Sequence, residues 1–77
     1  VPAADAFWAR ATASYRKQSI HWVLSAKQQP TRDRRMDQLI DSCAAYLPIP
    51  AMRYGEEPAW MRKARAELGD PPPPAPA

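Results

Sequence analysis

The stretch from Tyr15 to Leu47 constrains the fold of this 77-residue chain more than any other. Apolar residues recur in it at the three- and four-residue spacing of an amphipathic helix, on both sides of Pro30. Proline interrupts a helix and disfavours helical geometry at the residue before it. The sequence therefore predicts two helices that meet at a corner, Gln29-Pro30-Thr31, and pack antiparallel as a hairpin.

The first helix of the hairpin is predicted from Tyr15 to about Gln28, with Ser14 as its N-cap. When successive residues are placed about 100° apart around the helix axis, aromatic and aliphatic residues fall on one side. These residues are Tyr15, Ile20, Trp22, Val23 and Ala26. Two cations, Arg16 and Lys27, project into the middle of that apolar side. Either their stems are buried while their charges reach water, or they serve a partner.

The second helix of the hairpin is predicted from Arg32 to about Leu47, with Thr31 as its N-cap. Arg32 is out of place there, because the helix dipole mildly disfavours a cation in the first turn. The apolar residues of this helix follow the helical repeat over three turns. They are Met36, Leu39, Ile40, Cys43, Ala44 and Leu47. An acidic stripe, formed by Asp33, Asp37 and Asp41, lies behind them and is typical of a solvated helix face.

Two further helices flank the hairpin. A short one, capped by Asp5 and ending near Thr12, would lay aromatic rings on the hairpin. A fourth opens at Pro58 and stops at Gly69, with Trp60, Met61, Ala64 and Leu68 on its apolar side. An extended, proline-stiffened connection from Pro48 to Tyr54 precedes it. From Asp70 the chain is mostly proline, which predicts a polyproline II or disordered tail.

The fold class that follows is all-α: a small bundle of about four helices with a proline-rich tail. Residues 1–69 would form one domain, and residues 70–77 a tail or linker. Hydrophobic residues make up 45% of the chain, including Trp8, Trp22 and Trp60, which suffices for a small helical core. The chain begins with Val1 rather than methionine, which favours a fragment or a processed protein.

Catalytic and metal-binding constellations are absent from the sequence, and we predict neither a cofactor nor an enzyme. One histidine, His21, and one cysteine, Cys43, cannot supply a zinc site. Cys43 lies on an apolar helix side, where a buried core thiol is expected. The two glycines lie far apart and exclude a phosphate-binding loop. We expect a cytoplasmic protein, because no signal peptide or membrane span is present and no internal disulfide can form.

The cations around the corner are the unusual feature of the sequence. Lys27 lies near the end of one helix, whereas Arg32 and Arg35 open the next, after Thr31. If they converge on the free amides of the first turn, they would bind an anion, either a carboxylate, a phosphate or an acidic side chain. The alternative is that they pair with acidic residues of the chain or of its parent protein. Arg16 is a further candidate, although three turns separate it from Lys27.

Several motifs of the stretch resemble a known family. They are Tyr15-Arg16-Lys17, Trp22, Ser25-Ala26-Lys27, Thr31-Arg32 and Arg34-Arg35. Together they resemble the C-terminal helical segment of the bacteriocin-protection family, also called YdeI or OmpD-associated proteins. The resemblance covers roughly Phe7 to Tyr46. It implies a helical hairpin, an association with bacterial resistance to antimicrobial peptides and envelope stress, and no established catalytic activity. Members often carry a separate N-terminal domain.

We therefore predict a non-enzymatic helical binding or accessory module, whose partner is another protein or a domain of its parent protein. An acidic group of the partner would dock at Lys27, Arg32 and Arg35. A second hypothesis is nucleic-acid binding through the corner arginines together with Arg62, Lys63 and Arg65, although the net charge of +3 is modest. A third makes the chain the helical lobe of a larger enzyme.

Overall fold

The computed structural model describes residues 2–53 and 55–73. Within these ranges the chain forms four α-helices, one 3₁₀ turn and no strand, which confirms the all-α class. The helices are α1 (Pro2–Arg10), α2 (Ala13–Leu24), α3 (Gln29–Ala44) and α4 (Ala59–Leu68), and the 3₁₀ turn is Pro50–Met52. No helix in the described part of the chain is long and apolar enough to cross a membrane.

A cluster of aromatic side chains ties the four helices together. Phe7 of α1 is fully buried, and its ring stacks on Tyr46 with 5.6 Å between ring centres. Trp60 of α4 lies 5.2 Å from Phe7 and 5.0 Å from Tyr15 of α2, and Trp8 contacts Tyr15 edge-on at 6.5 Å. The other buried apolar residues of this core are Ala4, Ala11, Val23, Leu39, Cys43, Ile49, Met61 and Ala64.

Helix α1 is more central than the sequence suggested. It contacts α3 more extensively than α2 does, and it also packs on α4. Two of its residues, Ala4 and Phe7, are buried. The core is therefore built around α1 and α3 together, rather than around a hairpin with α1 laid on it. The antiparallel pairing of α2 and α3 stays a prediction.

The first two helices begin earlier than predicted. α1 starts at Pro2, so Asp5 lies in its first turn and is not its N-cap. α2 starts one residue before Ser14, and Thr12 caps it instead: the Thr12 Oγ1 accepts a hydrogen bond from the Tyr15 backbone N–H at 3.1 Å. The prediction that Ser14 is the N-cap is therefore wrong; threonine and serine both cap well, so residue type alone does not distinguish the two positions.

The corner between α2 and α3 also comes earlier than predicted. α2 ends at Leu24 and α3 begins directly after Gln28, so the corner comprises residues 25–28. Thr31 therefore lies inside α3, and the prediction that it is the N-cap is wrong; Gln28 holds that position. Pro30 is accommodated in the first turn, because amides there have no partner within the helix.

α3 ends before the predicted Leu47, in a hydrogen-bonded C-terminal motif. The Leu47 N–H donates to the Ser42 carbonyl at 2.9 Å, and the Tyr46 N–H donates to the Cys43 carbonyl at 3.1 Å. This pattern requires a left-handed residue, usually glycine, and here Tyr46 adopts a φ of 57°. The left-handed backbone costs a non-glycine residue about 1–2 kcal/mol. The buried stack of Tyr46 on Phe7 offsets that cost.

The predicted apolar stripe of α3 is only half buried. Leu39 and Cys43 are buried, but Met36, Ile40 and Leu47 are 44%, 38% and 42% exposed. Helical spacing shows which residues share a side, not how much of that side the neighbouring elements cover. The stripe is wider than the sector that α1 and α2 cover, so only part of it belongs to the core.

The buried side of α2 also differs from the predicted one. Tyr15, Ser19 and Val23 are buried, Trp22 is partly buried, and Ile20 is 47% exposed. The repeat of four residues from Tyr15 to Val23 runs through Ser19, a small polar residue that a hydrophobicity pattern passes over. α2 therefore presents Ile20 to solvent.

The connection after α3 is anchored rather than simply extended. Ile49 is 1% exposed, and its backbone N–H donates to the Tyr15 hydroxyl at 3.0 Å. The 3₁₀ turn follows at once, and Tyr54, the end of the predicted connection, lies outside the described residues. Burial raises the pKa of the Tyr15 phenol, and the hydrogen bond from Ile49 only partly opposes this rise.

The predicted fourth helix is confirmed. α4 follows Pro58 directly and ends at Gly69, whose φ of 80° suits glycine. Met61 and Ala64 are buried against the core. Of the predicted tail, residues 71–73 have no regular structure, and residues 74–77 lie outside the described part of the chain.

Replacing Tyr15 by phenylalanine tests the anchor. Tyr15→Phe keeps the ring but leaves the buried Ile49 N–H without its acceptor. We expect a loss of about 1–3 kcal/mol in the free energy of unfolding, measured by urea denaturation. Tyr46→Phe is the matched control, because the Tyr46 hydroxyl makes no hydrogen bond among the described residues and the ring stack is retained. Equal losses in the two variants would contradict a role for the hydroxyl of Tyr15.

Candidate functional site

Arg32 ties the corner together. Its Nη1 donates to the carbonyls of Ala26 and Lys27 at 2.9 and 3.1 Å. Its Nε and Nη2 both donate to Oε1 of Gln29, at 3.3 and 2.8 Å, and the amide of Gln29 in turn donates to Asp33. The guanidinium of Arg32 thus satisfies carbonyls beyond the end of α2, and Gln29 links it to an acidic residue.

Arg35 is held from one side and open on the other. Its Nη1 donates to the Trp22 carbonyl at 2.8 Å and to the Ser25 hydroxyl at 3.2 Å. Its Cζ lies 5.3 Å from the centre of the Trp22 ring, a cation–π arrangement. Nε and Nη2 of Arg35 have no hydrogen-bond partner within the described residues. That edge of a guanidinium is the one that binds a carboxylate through two parallel hydrogen bonds.

The other predicted corner residues are placed differently. The side chain of Lys27 is exposed at the corner, and its carbonyl accepts the bond from Arg32. Thr31 is half-buried inside α3 and does not cap it. Arg16 is at the other end of α2: its Nε and Nη2 donate to the Ala11 carbonyl at 3.3 and 3.0 Å. The structure thus brings Lys27, Arg32 and Arg35 to the corner and places Arg16 at the junction of α1 and α2.

The same interaction recurs at other chain segments. The Arg65 Nη1 donates to the Tyr46 carbonyl after α3, at 3.0 Å, while its Nη2 pairs with Glu57. The Arg53 Nε donates to the Pro48 carbonyl at 2.9 Å. Arg10 donates to the Ala6 carbonyl and to Glu67. In the described part of the chain, Arg34 and Arg62 are the arginines without such a bond.

These carbonyl partners were missed by sequence reasoning, although a signal was present. Arg16 interrupts an apolar side, and Arg32 sits unfavourably for its own helix dipole. Both positions are explained by the bonds that each arginine makes near the C-terminal end of the preceding helix, where a positive charge is favourable. A cation that is misplaced for its own helix is thus a candidate ligand for the carbonyls of its neighbour.

Other reactive groups do not gather into a site. Cys43 is 3% exposed, and burial raises the pKa of its thiol to about 11, which is unsuitable for a nucleophile. Within residues 2–53 and 55–73, no group of three or more His, Cys, Asp or Glu side chains could hold a metal ion. An open depression of about 340 Å³ lies between the 3₁₀ turn and α4, but its Arg53 and Arg65 are both bound within the chain.

Comparison with known proteins gives one match. The family model described as "Bacteriocin-protection, YdeI or OmpD-Associated" matches residues 1–46, more than half of the chain. The matched part contains α1, α2, α3 and the whole corner, and it stops before the 3₁₀ turn. No curated protein and no solved structure matches.

Removing the Arg32 guanidinium tests its structural role. In Arg32→Gln, the carbonyls of Ala26 and Lys27 lose their donor, so we expect a loss of about 1–2 kcal/mol in the free energy of unfolding, measured by urea denaturation. The control is Arg34→Gln, which removes the same charge from the exposed side of α3 and should change stability by less than about 0.5 kcal/mol. Equal losses in the two variants would show that only net charge matters.

The raised pKa of the buried Cys43 thiol predicts that the free energy of unfolding depends on pH. Its pKa of about 11 in the folded chain exceeds the ordinary value of 9.0, so the unfolded thiol ionises first as pH rises. Stability is therefore intact below about pH 9 and falls by about 2–3 kcal/mol towards pH 11. Urea denaturation of Cys43→Ala should show lower stability at neutral pH but a shallower alkaline decrease. Parallel pH profiles for the variant and the parent protein would contradict the assignment to Cys43.

Proposed function

The chain belongs to the bacteriocin-protection, YdeI or OmpD-associated family, and from that premise we propose that it is a non-enzymatic accessory module that binds an acidic group of a protein partner. The binding site would be the corner of residues 25–28 and the start of α3. The observation that carries the proposal is the Nε–Nη2 edge of Arg35, which no residue in 2–53 or 55–73 binds. Arg35 is fixed by its bonds to Trp22 and Ser25 and is ready to receive a carboxylate.

Preorganisation supports this role. A surface arginine loses side-chain entropy when it binds a ligand, and an arginine that the fold already holds has lost much of it beforehand. The indole ring and the backbone carbonyl of Trp22 together fix the plane of the Arg35 guanidinium. Arg32 fixes the backbone of the corner, while the exposed ammonium of Lys27 supplies a second positive charge.

The residues of the site have unequal roles in this proposal. Arg35 would bind the carboxylate directly, and Lys27 would add long-range attraction. Arg32 and Thr31 would shape the corner without contacting the ligand, because the donors of Arg32 are engaged by the chain itself and Thr31 is half-buried. Arg16, at the far end of α2, is left out of the site.

The buried thiol supports a non-enzymatic role. Cys43 is the single cysteine, and its pKa is raised to about 11 by burial. A role in nucleic-acid binding is less well supported, because Arg65, one of the cations on which that hypothesis depends, pairs with Glu57 and with the Tyr46 carbonyl.

A glutamate-rich peptide tests the corner directly. Titrated at low salt and followed by NMR, it should shift the signals of the Trp22 indole, the Arg35 Nε–H and the amides of residues 25–28. Arg35→Lys keeps the charge but loses the paired donors, and it should weaken binding about tenfold. Arg62→Lys is the matched control, since Arg62 is exposed on α4.

Two outcomes would contradict the proposal. One is an absence of shifts at the corner at low salt. The other is equal binding by Arg35→Lys and Arg62→Lys. If a DNA duplex bound more tightly than the peptide, with a strong salt dependence, the nucleic-acid hypothesis would replace the proposal.

A further inference from the structure

Two exposed strips on the surface have the same residue spacing and carry opposite charges. The α2 strip consists of Lys17, Ile20 and Leu24, and the α3 strip consists of Asp33, Met36 and Ile40. In each strip a charged residue is followed, three and seven residues later, by large apolar side chains on the same helix face. Leu24 is the most exposed of these at 65%. Neither the core nor the corner accounts for them.

The strips do not cover each other within one chain. α2 and α3 meet through Trp22 and Arg35, which are hydrogen-bonded. By helical geometry these two residues lie about 140–160° around their helices from Ile20 and Ile40. The exposure of all four apolar side chains shows directly that neither strip is covered by the other helix of the same chain.

Charge decides which strip fits which. Residues 13–24 include Arg16, Lys17 and His21 but no acidic residue. α3 has as many arginines as aspartates, but Asp33 and Asp37 lie beside its apolar strip, whereas Arg32 is bound to the corner carbonyls and Arg34 lies on another side of the helix. With the helices parallel, packing an α2 strip on another α2 strip would bring lysines together, and packing two α3 strips would bring aspartates together. The complementary pairing is α2 on α3.

We propose that the occupant of each strip is a second copy of this chain, the α2 strip of one copy packing on the α3 strip of the next. With the two helices parallel, identical spacing places Lys17 opposite Asp33, Ile20 opposite Met36 and Leu24 opposite Ile40. Because the two strips are different surfaces, the contact is head-to-tail and can extend beyond a dimer. Neither strip contains Lys27, Arg32 or Arg35, and the two sites meet only at Asp33, which accepts a hydrogen bond from the Gln29 side chain that also binds Arg32.

Complementation between two blocked variants tests it. The first variant, Ile20→Ser with Leu24→Ser, lacks the α2 strip, and the second, Met36→Ser with Ile40→Ser, lacks the α3 strip. Sedimentation over about 10 μM to about 1 mM should show a mass that rises with concentration for the parent chain. Each variant alone should remain a monomer, and an equimolar mixture should form a dimer and nothing larger. Circular dichroism checks that the exposed substitutions leave the helices intact.

Charge reversal gives a second arm that does not depend on the apolar substitutions. Lys17→Asp and Asp33→Lys should each weaken self-association about tenfold, because like charges then face each other across the contact. Mixing the two variants should restore the concentration-dependent mass of the parent chain, because every contact between unlike copies joins opposite charges, either in the native or in the reversed order. Lys63→Asp, on α4, should associate like the parent chain. A parent chain that is monomeric throughout, oligomers that persist in either blocked variant, or mixtures that stay monomeric would each overturn the proposal.

Discussion

Hydrogen bonds from arginine side chains to backbone carbonyls hold this small structure together. The last carbonyls of a helix have no partner within it, and they carry the negative end of the helix dipole. Here a guanidinium from the next helix donates at or just beyond each of these ends. Arg35 binds the Trp22 carbonyl in the last turn of α2, and Arg16, Arg32 and Arg65 bind carbonyls that follow α1, α2 and α3. Each junction is thereby fixed by the helix that follows it.

This arrangement suits a chain with a limited core. A domain of this size buries a smaller share of its surface than a large one, so its loops must be stabilised locally. The aromatic cluster around Phe7 supplies the apolar contacts among the helices, and the arginines fix the turns between them. At the corner, one arginine can serve both stability and binding, because the bonds that hold Arg35 leave its Nε–Nη2 edge open. A structural arginine and a binding arginine can therefore be the same residue.

The sequence predicted the positions of the helices better than the long-range hydrogen bonds between them. α4 and the apolar side of α3 follow from local spacing and from Gly69, whereas the left-handed Tyr46 could not be foreseen, because that conformation normally indicates glycine. Similarly, Pro30 is compatible with either the end of one helix or the first turn of the next. The bond from Arg35 to Trp22 spans 13 residues and the bond from Arg65 to Tyr46 spans 19, so no local pattern contains them. At the corner, the proximity of Lys27, Arg32 and Arg35 followed from the sequence, whereas their hydrogen bonds and the place of Thr31 inside α3 did not.

Guanidinium NMR tests the central claim, that arginines clamp the helix junctions, most directly. Rotation about the Nε–Cζ bond and exchange of the side-chain hydrogens with water can be measured for each arginine of one folded sample. The account predicts slow rotation for Arg16, Arg32, Arg35 and Arg65, with protected hydrogens on the nitrogens that donate to carbonyls, and fast averaging for Arg34 and Arg62. If the four clamping arginines rotate and exchange as fast as Arg34 and Arg62, the carbonyl bonds do not hold the junctions and the account is wrong.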